Sequence, residues 1–236
     1  MRTRLLIVED DDRIRTSLRL ALEDEGYTVD EAASGEEALL VLATGQEPDL
    51  MIVDLMLGQM DGFTCIRAVR RSSNLPIIVV SARVDTHDVV AALEAGADDY
   101  VTKPFQTKEI TARLRALRRR AAVVVPVDQQ PVPEQVLESG PDPLVLSVAA
   151  GTVRRGDAEV HLTLTEFRLL CELAESPGRV LSRSSLLERV WDRGYFGDER
   201  IVDVHVRRLR TKIEKDPSAP RVVVTVRGLG YRLDVR

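Results

Sequence analysis

The stretch Asp49-Leu50-Met51-Ile52-Val53-Asp54-Leu55-Met56 decides the fold. Its uninterrupted Leu-Met-Ile-Val run suits a strand covered on both faces, as parallel sheets require. The carboxylate of Asp54 follows directly at the strand's C-terminal edge, and in open α/β sheets this edge is where ligands bind. Strand and helix patterns alternate on either side of it through residues 1–121. Leu5–Val8, Tyr27–Glu31, Leu50–Leu55, Ile77–Ser81 and Tyr100–Lys103 read as strands. Arg13–Glu25, Glu36–Ala43, Phe63–Arg71, Val89–Ala95 and Thr107–Arg120 read as helices, with Gly26 and Gly96 closing two of them. Units of this size and order predict a doubly wound, five-stranded parallel sheet with helices on both faces.

The strand ends carry the chemistry. The first strand runs into Glu9-Asp10-Asp11-Asp12 and the third into Asp54, so carboxylates from separate strands meet at one edge. Clustered carboxylates repel one another, and Mg²⁺ relieves the repulsion, typically holding one or two carboxylates together with waters and phosphate oxygens. The acidic run also suits helix capping, with Asp12 as the cap, and the residues alone leave both readings open. Ser81 ends the fourth strand with a hydroxyl, and Lys103 ends the fifth with an ammonium. An acidic metal site, a carboxylate nucleophile, a hydroxyl donor and a fixed cation are together the equipment for stabilising a phosphoryl group in transfer to Asp54.

At 236 residues the chain is long enough for two domains, each with its own core. Charge divides along the same line. Residues 1–121 hold 16 Lys/Arg against 21 Asp/Glu, residues 122–143 hold 0 against 4, and residues 144–236 hold 17 against 13. The net charge of −5 therefore conceals a basic C-terminal part, for which nucleic acid is a candidate partner. Cys65 and Cys171 are the only cysteines, and neither a disulfide framework nor a zinc site fits them. The N-terminus does not resemble a signal peptide and no run approaches a membrane span, so a soluble, cytoplasmic protein is expected.

Pro126, Pro131, Pro133, Pro141 and Pro143 punctuate residues 122–143, which read as a semi-extended tether; an ordered strand over Val123–Val125 is the alternative. Leu144–Leu146, Thr152–Arg154 and Val160–Leu162 then suggest a small antiparallel sheet. Thr163-Leu164-Thr165-Glu166 offers a capped helix start, Ser182–Trp191 a second helix and Glu199–Lys215 a third. The third carries five Arg/Lys within thirteen residues, Arg200 to Lys212, more than solvation needs. Val222–Val226 and Tyr231–Val235 flank Arg227-Gly228-Leu229-Gly230, a hairpin with a cation at its tip and a shape that suits a minor groove.

With Gly-Ala-Asp-Asp-Tyr-Val-Thr-Lys-Pro-Phe at 96–105 added to the strand-end residues, the first domain resembles a two-component receiver, a flavodoxin-like α/β fold. The resemblance implies Glu9, Asp10, Asp54 and the backbone carbonyl of Met56 as Mg²⁺ ligands. It makes Asp54 the phospho-acceptor, Ser81 and Lys103 phosphoryl contacts and Tyr100 the switch aromatic, with a cis Lys103–Pro104 peptide. It also implies a homodimer through the fourth helix, fifth strand and fifth helix, paired by Asp99 with Arg113 and Asp98 with Arg120. Two positions depart from the family pattern. Gly58 stands where proline is common, and Val89 stands where a basic residue usually pairs with the acid equivalent to Glu109, so a weaker dimer is expected.

The second domain resembles the α+β winged helix-turn-helix effector of OmpR/PhoB-type response regulators. The resemblance rests on Leu164-Thr165-Glu166-Phe167, on residues 200–210 and on Thr225–Arg232. It implies that Asp203, Arg207 and Arg208 approach base edges, that Arg200, His205, Arg210 and Thr225 meet phosphates, and that Arg227 enters the minor groove. The loop Asp192–Asp198, with Tyr195 and Phe196, would contact RNA polymerase. The expected partners are a sensor histidine kinase, double-stranded promoter DNA and a second copy of the chain. The expected role is a transcriptional switch rather than an enzyme. An aspartate-nucleophile phosphatase typically needs a second Asp two residues past the nucleophile, and Met56 occupies that position.

Overall fold

The computed structural model describes residues 3–45, 47–122, 134–191 and 198–236, with side chains of 119–122 excepted. The chain divides into two compact units, Met1–Arg118 and Arg119–Arg236, and each is considered by itself.

In the first unit β1 (Arg4–Val8), β2 (Thr28–Ala32), β3 (Leu50–Val53), β4 (Ile77–Ser81) and β5 (Asp99–Thr102) form one sheet in the order β2-β1-β3-β4-β5. Every pairing is parallel. The intervening helices are α1 (Asp12–Asp24), α2 (Gly35–Ala43), α3 (Gly62–Arg70), α4 (Thr86–Ala95) and α5 (Thr107–Ala122). Leu50, Met51, Ile52 and Val53 are all buried, as the apolar run requires of a strand with cover on both faces. Alternation sends Leu5, Ile7, Leu50, Ile52, Ile78 and Val80 to the layer where Leu18 and Leu22 of α1 meet Ile110, Leu114 and Leu117 of α5. Cys65, Ile66 and Val69 of α3 and Leu93 of α4 belong to the opposite layer.

Local chemistry sets the helix starts. Asp11, not Asp12, caps α1: its Oδ1 accepts from the backbone N–H of Arg13 at 2.8 Å and of Ile14 at 3.0 Å. Asp85 caps α4 through His87 N–H, which is why that helix begins at Thr86 rather than at the first apolar residue, Val89. Arg70 fastens α3 to the far edge of the sheet. It donates to the Gly96 carbonyl at 2.9 Å and to Asp98 Oδ2 at 2.9 Å, while Asp98 also accepts from Ile77 N–H at 3.0 Å.

The second unit opens with an antiparallel sheet of β6 (Gln135–Glu138), β7 (Leu144–Ser147), β8 (Thr152–Arg155) and β9 (Ala158–Glu159). Strand β6 lies inside the stretch read from sequence as tether. One buried side chain, Leu137, anchors it, and its periodicity is too short to stand out among prolines. Residues 123–125 lie outside the described residues. Ala158–Glu159 rather than Val160–Leu162 forms the last strand, since the pairing with Arg154 and Arg155 is set by the turn at Gly156.

Next come α6 (Leu164–Ala174), β10 (Val180–Leu181), α7 (Arg183–Trp191), α8 (Arg200–Ile213), β11 (Val223–Val226) and β12 (Gly230–Leu233). The sequence reading missed β10, a two-residue strand that completes the sheet β10-β12-β11. Thr163 and Glu166 form the capping box expected of them. The core joins Phe167, Leu170 and Leu173 of α6, Leu186, Val190 and Trp191 of α7, and Val202, Val206 and Leu209 of α8. Among the described residues no helix is long and apolar enough to cross a membrane.

Gly62 explains how α3 approaches the end of β3. A Cβ there would lie 2.2 Å from the Asp54 carbonyl oxygen and 2.6 Å from Leu55 Cα, both backbone atoms that cannot turn aside. Gly62→Ala should therefore destabilise the first unit by about 3 kcal/mol, the upper range for overpacking, as read from urea unfolding.

Candidate functional site

Strand register places the first group of residues. Val8 of β1 pairs with Val53 of β3, so the residues that follow, Glu9 and Asp54, leave the sheet side by side. Ser81 pairs with Thr102, and Lys103 N–H then donates to the Ser81 carbonyl at 2.8 Å, delivering the lysine to the same edge. Lys103 Nζ donates to Glu9 Oε2 at 2.7 Å and to Asp54 Oδ2 at 2.6 Å. Asp54 Oδ1 accepts from the backbone N–H of Met56 at 3.0 Å. The Lys103–Pro104 peptide is cis.

Three of these groups are well shielded: Glu9, Asp54 and Ser81 are buried, whereas Asp10 is exposed at the rim. Burial raises the Glu9 carboxyl above its usual range and outweighs the Lys103 ammonium beside it. For Lys103, burial works to release the proton, but the hydrogen bonds it donates to Asp54 and Glu9 prevail and hold the ammonium above its ordinary value. Ser81 Oγ is buried without a hydrogen bond of acceptable geometry, and the Tyr100 hydroxyl is its near polar neighbour. The Tyr100 ring is already buried, its hydroxyl donating to the Arg83 carbonyl at 2.6 Å, and desolvation pushes that hydroxyl up to about 12.

No three carboxylate, imidazole or thiolate groups among the described residues are gathered closely enough to hold a metal by themselves. The buried pair nevertheless fits Mg²⁺: two carboxylates close enough to share one ammonium leave the remaining positions to water and phosphate oxygen, as this ion prefers.

The second group lies on α8 and the hairpin β11–β12. Ile201, Val202, Val204, Val206, Leu209 and Ile213 face inward. Arg200 and Arg207 are exposed, and Asp203 and Arg210 are partly so. Arg210 donates to the Val223 carbonyl and to Thr225 Oγ1, both at 2.8 Å, which fixes α8 to the hairpin. At the hairpin tip Arg227 and Leu229 are exposed, and Gly228 adopts φ 75°, the left-handed turn conformation.

The two units match two family models: "Response regulator receiver domain" over residues 5–115 and "Transcriptional regulatory protein, C terminal" over residues 157–233. The chain is 47% identical over 230 residues to the transcriptional regulatory protein AfsQ1 of Streptomyces coelicolor, covering 98% of this chain and 97% of that one. It is 43% identical over 232 residues to the DNA-binding response regulator MtrA of Mycolicibacterium smegmatis, with the same coverages. The solved structure of a RitR mutant aligns with TM-score 0.74 at 28% identity, covering 98% of this chain and 99% of that one. The chain belongs to the OmpR/PhoB-type two-component response regulators. It is a DNA-binding transcriptional regulator, and the relatives are named as such rather than as enzymes.

Within this response regulator the structure corrects several residue assignments. His205 is fully buried against Trp191, with ring centroids 5.2 Å apart, so it packs the core and meets no phosphate. Arg208 is largely buried and ion-paired with Glu166 Oε1 at 2.9 Å, so it belongs to the interior rather than to a base edge. Lys212 joins the same carboxylate at 2.7 Å. Asp203 is not displaced in this way: it stays partly exposed and commits only Oδ1, to Arg183 and Tyr231, each at 2.6 Å. Asp98 is fully buried and bonded to Arg70 and Ile77 within the chain, while the side chain of Arg120, the partner expected for it, lies outside the described residues. Arg113 pairs with Asp99 at 3.0 Å and with Glu109 at 2.8 Å inside one chain, so Glu109 finds its cation four residues along α5. Residues 192–197, including Tyr195 and Phe196, lie outside the described residues.

Glu166 is the residue whose role the sequence concealed. Burial works to raise its carboxyl, but Arg208 and Lys212 more than offset that and hold it below the usual range. The linked stability is fully present above the unfolded carboxyl value near pH 4.5 and is lost as pH falls through the lower folded value. Arg208→Ala should cost about 3 kcal/mol in urea unfolding of the second unit and should move its acid unfolding, followed by circular dichroism, to higher pH.

Proposed function

We propose that Asp54 accepts a phosphoryl group from the phosphohistidine of a sensor histidine kinase, and that the phosphorylated chain binds promoter DNA as a homodimer. One observation carries this reading: Lys103 Nζ spans Glu9 and Asp54 at 2.7 and 2.6 Å, beside the buried Ser81 hydroxyl. A phosphoryl group on Asp54 brings oxygens that need both donors. The phosphorus–nitrogen bond of the donor breaks as the bond to the Asp54 carboxylate forms, and Lys103 and Ser81 stabilise the charge on the transferred oxygens.

Glu9, Asp10, Asp54 and the Met56 carbonyl would hold Mg²⁺, which supplies further charge neutralisation when bound. Tyr100 is already turned in, so the switch in this chain is a change in its hydroxyl's partner, from the Arg83 carbonyl toward Ser81, rather than inward rotation of the ring. Asp99 and Arg113 remain for the dimer face of α4, β5 and α5, in weakened form because the uncharged Val89 contributes no ion pair there. Arg200, Arg207 and Arg227, with the partly exposed Arg210 and the Thr225 hydroxyl beside it, offer α8 and the hairpin to DNA. A DNA-binding role and two cysteines without a disulfide suit the cytoplasm, and promoter binding implies RNA polymerase as a partner.

Acetyl phosphate with Mg²⁺ should add one phosphoryl group by intact-mass measurement, and both Asp54→Asn and chelation of the metal should abolish the gain. A gain surviving Asp54→Asn would reject the assignment. The product should hydrolyse slowly: Met56 stands where a phosphatase carries its second acid, and Arg83, paired with Asp88 at 3.0 Å and 5.9 Å from the Phe63 ring centroid, crowds the water approach. Rapid loss of radiolabelled phosphate from the isolated protein would overturn that expectation.

A further inference from the structure

The segment that reads DNA is braced by a residue that the sequence left as an ordinary strand aromatic. Tyr231, on β12, is buried, and its hydroxyl donates to Asp203 Oδ1 on α8 at 2.6 Å. Arg183, the first residue of α7, donates from Nε to the same oxygen at 2.6 Å. Both Arg183 and Arg210 also lie against the tyrosine ring, with guanidinium carbons 5.1 and 5.5 Å from its centroid. Arg210 carries the connection onward to Thr225 and the Val223 carbonyl. One ring thus joins the start of α7, the exposed side of α8 and both hairpin strands.

The geometry leaves Asp203 half finished. Oδ1 holds two donors, while Oδ2 makes no hydrogen bond among the described residues and the side chain is 43% exposed. A carboxylate so placed on a recognition helix can accept from the exocyclic amino group of cytosine, the base-edge donor that acidic side chains select. Left to itself it would also rotate, and its charge would repel the phosphate backbone.

We propose that Tyr231 is a positioning residue for base recognition: its hydroxyl, with Arg183, fixes the Asp203 carboxylate so that Oδ2 faces one cytosine amino group in each half-site. The inference rests on α8 being the DNA-reading helix. Burial and the Asp203 bond push the Tyr231 hydroxyl up to about 12, so it remains a donor throughout the physiological range. Arg183 balances the acid's charge, which makes Asp203 tolerable beside phosphates.

The test is base preference of the full chain, measured by selection from randomised duplexes, beside non-specific affinity and its salt slope. Tyr231→Phe keeps the ring and removes only the hydroxyl. It should lose on the order of tenfold discrimination at a single base position, the same position lost in Asp203→Ala, with non-specific affinity and salt slope unchanged. Arg183→Met, at a partly exposed site, should show the same positional loss if Tyr231→Phe does not fold. An even loss across all positions, or unchanged preference in Tyr231→Phe and Arg183→Met, would overturn the proposal. So would an Asp203→Ala profile without a single-position loss. Arg207→Ala separates the two levels: if it too leaves base preference intact, the helix assignment itself fails. If it abolishes preference while Tyr231→Phe does nothing, only the positioning role fails.

Discussion

One ammonium held between two buried carboxylates is the constraint on which the rest of the receiver depends. Lys103 bridges Glu9 and Asp54 only because three strands end near one edge, and their levels are fixed by the pairings of Val8 with Val53, Val53 with Val79 and Ser81 with Thr102. A one-residue slip in any of these pairings would invert the side chains and dismantle the site together with the core. Function and folding are thus satisfied by the same register. The charge balance is also unfinished, with two carboxylates to one cation and burial raising Glu9, and this is the condition that a divalent ion relieves.

The receiver residues were legible in the sequence because each stands at the end of a strand pattern. Glu9, Asp54, Ser81 and Lys103 needed no knowledge of a distant partner; strand ends and the direction of a parallel sheet sufficed. The capping position was misread by one residue because Asp11 and Asp12 are chemically alike, and only backbone geometry separates the acceptor from the first helical residue. The cis peptide before Pro104 agreed with the family resemblance.

The second unit was less legible at the level of single residues. Charge density on α8 announced a nucleic-acid surface, but which cations face outward depends on neighbours that sequence spacing cannot supply. Arg208 turns inward because Glu166, on α6, waits there at 2.9 Å, and His205 turns inward because Trp191 covers it. The family resemblance gave Asp98 to a dimer pair, whereas the fold buries it beside Arg70 at 2.9 Å. Strand β6 escaped because one buried leucine among prolines carries too little pattern.

The Glu166 ion pairs bear on how strongly salt should weaken DNA binding. Affinity for duplex DNA is governed largely by cations that displace counterions condensed on the phosphates. Glu166 already offsets one of the two charges that Arg208 and Lys212 bring to α8, so the pair has a single net charge left with which to release such ions. The ionic-strength dependence of this regulator should therefore be shallower than the charge count of its recognition helix suggests. A larger share of its grip is then left to contacts that do not fade as salt rises.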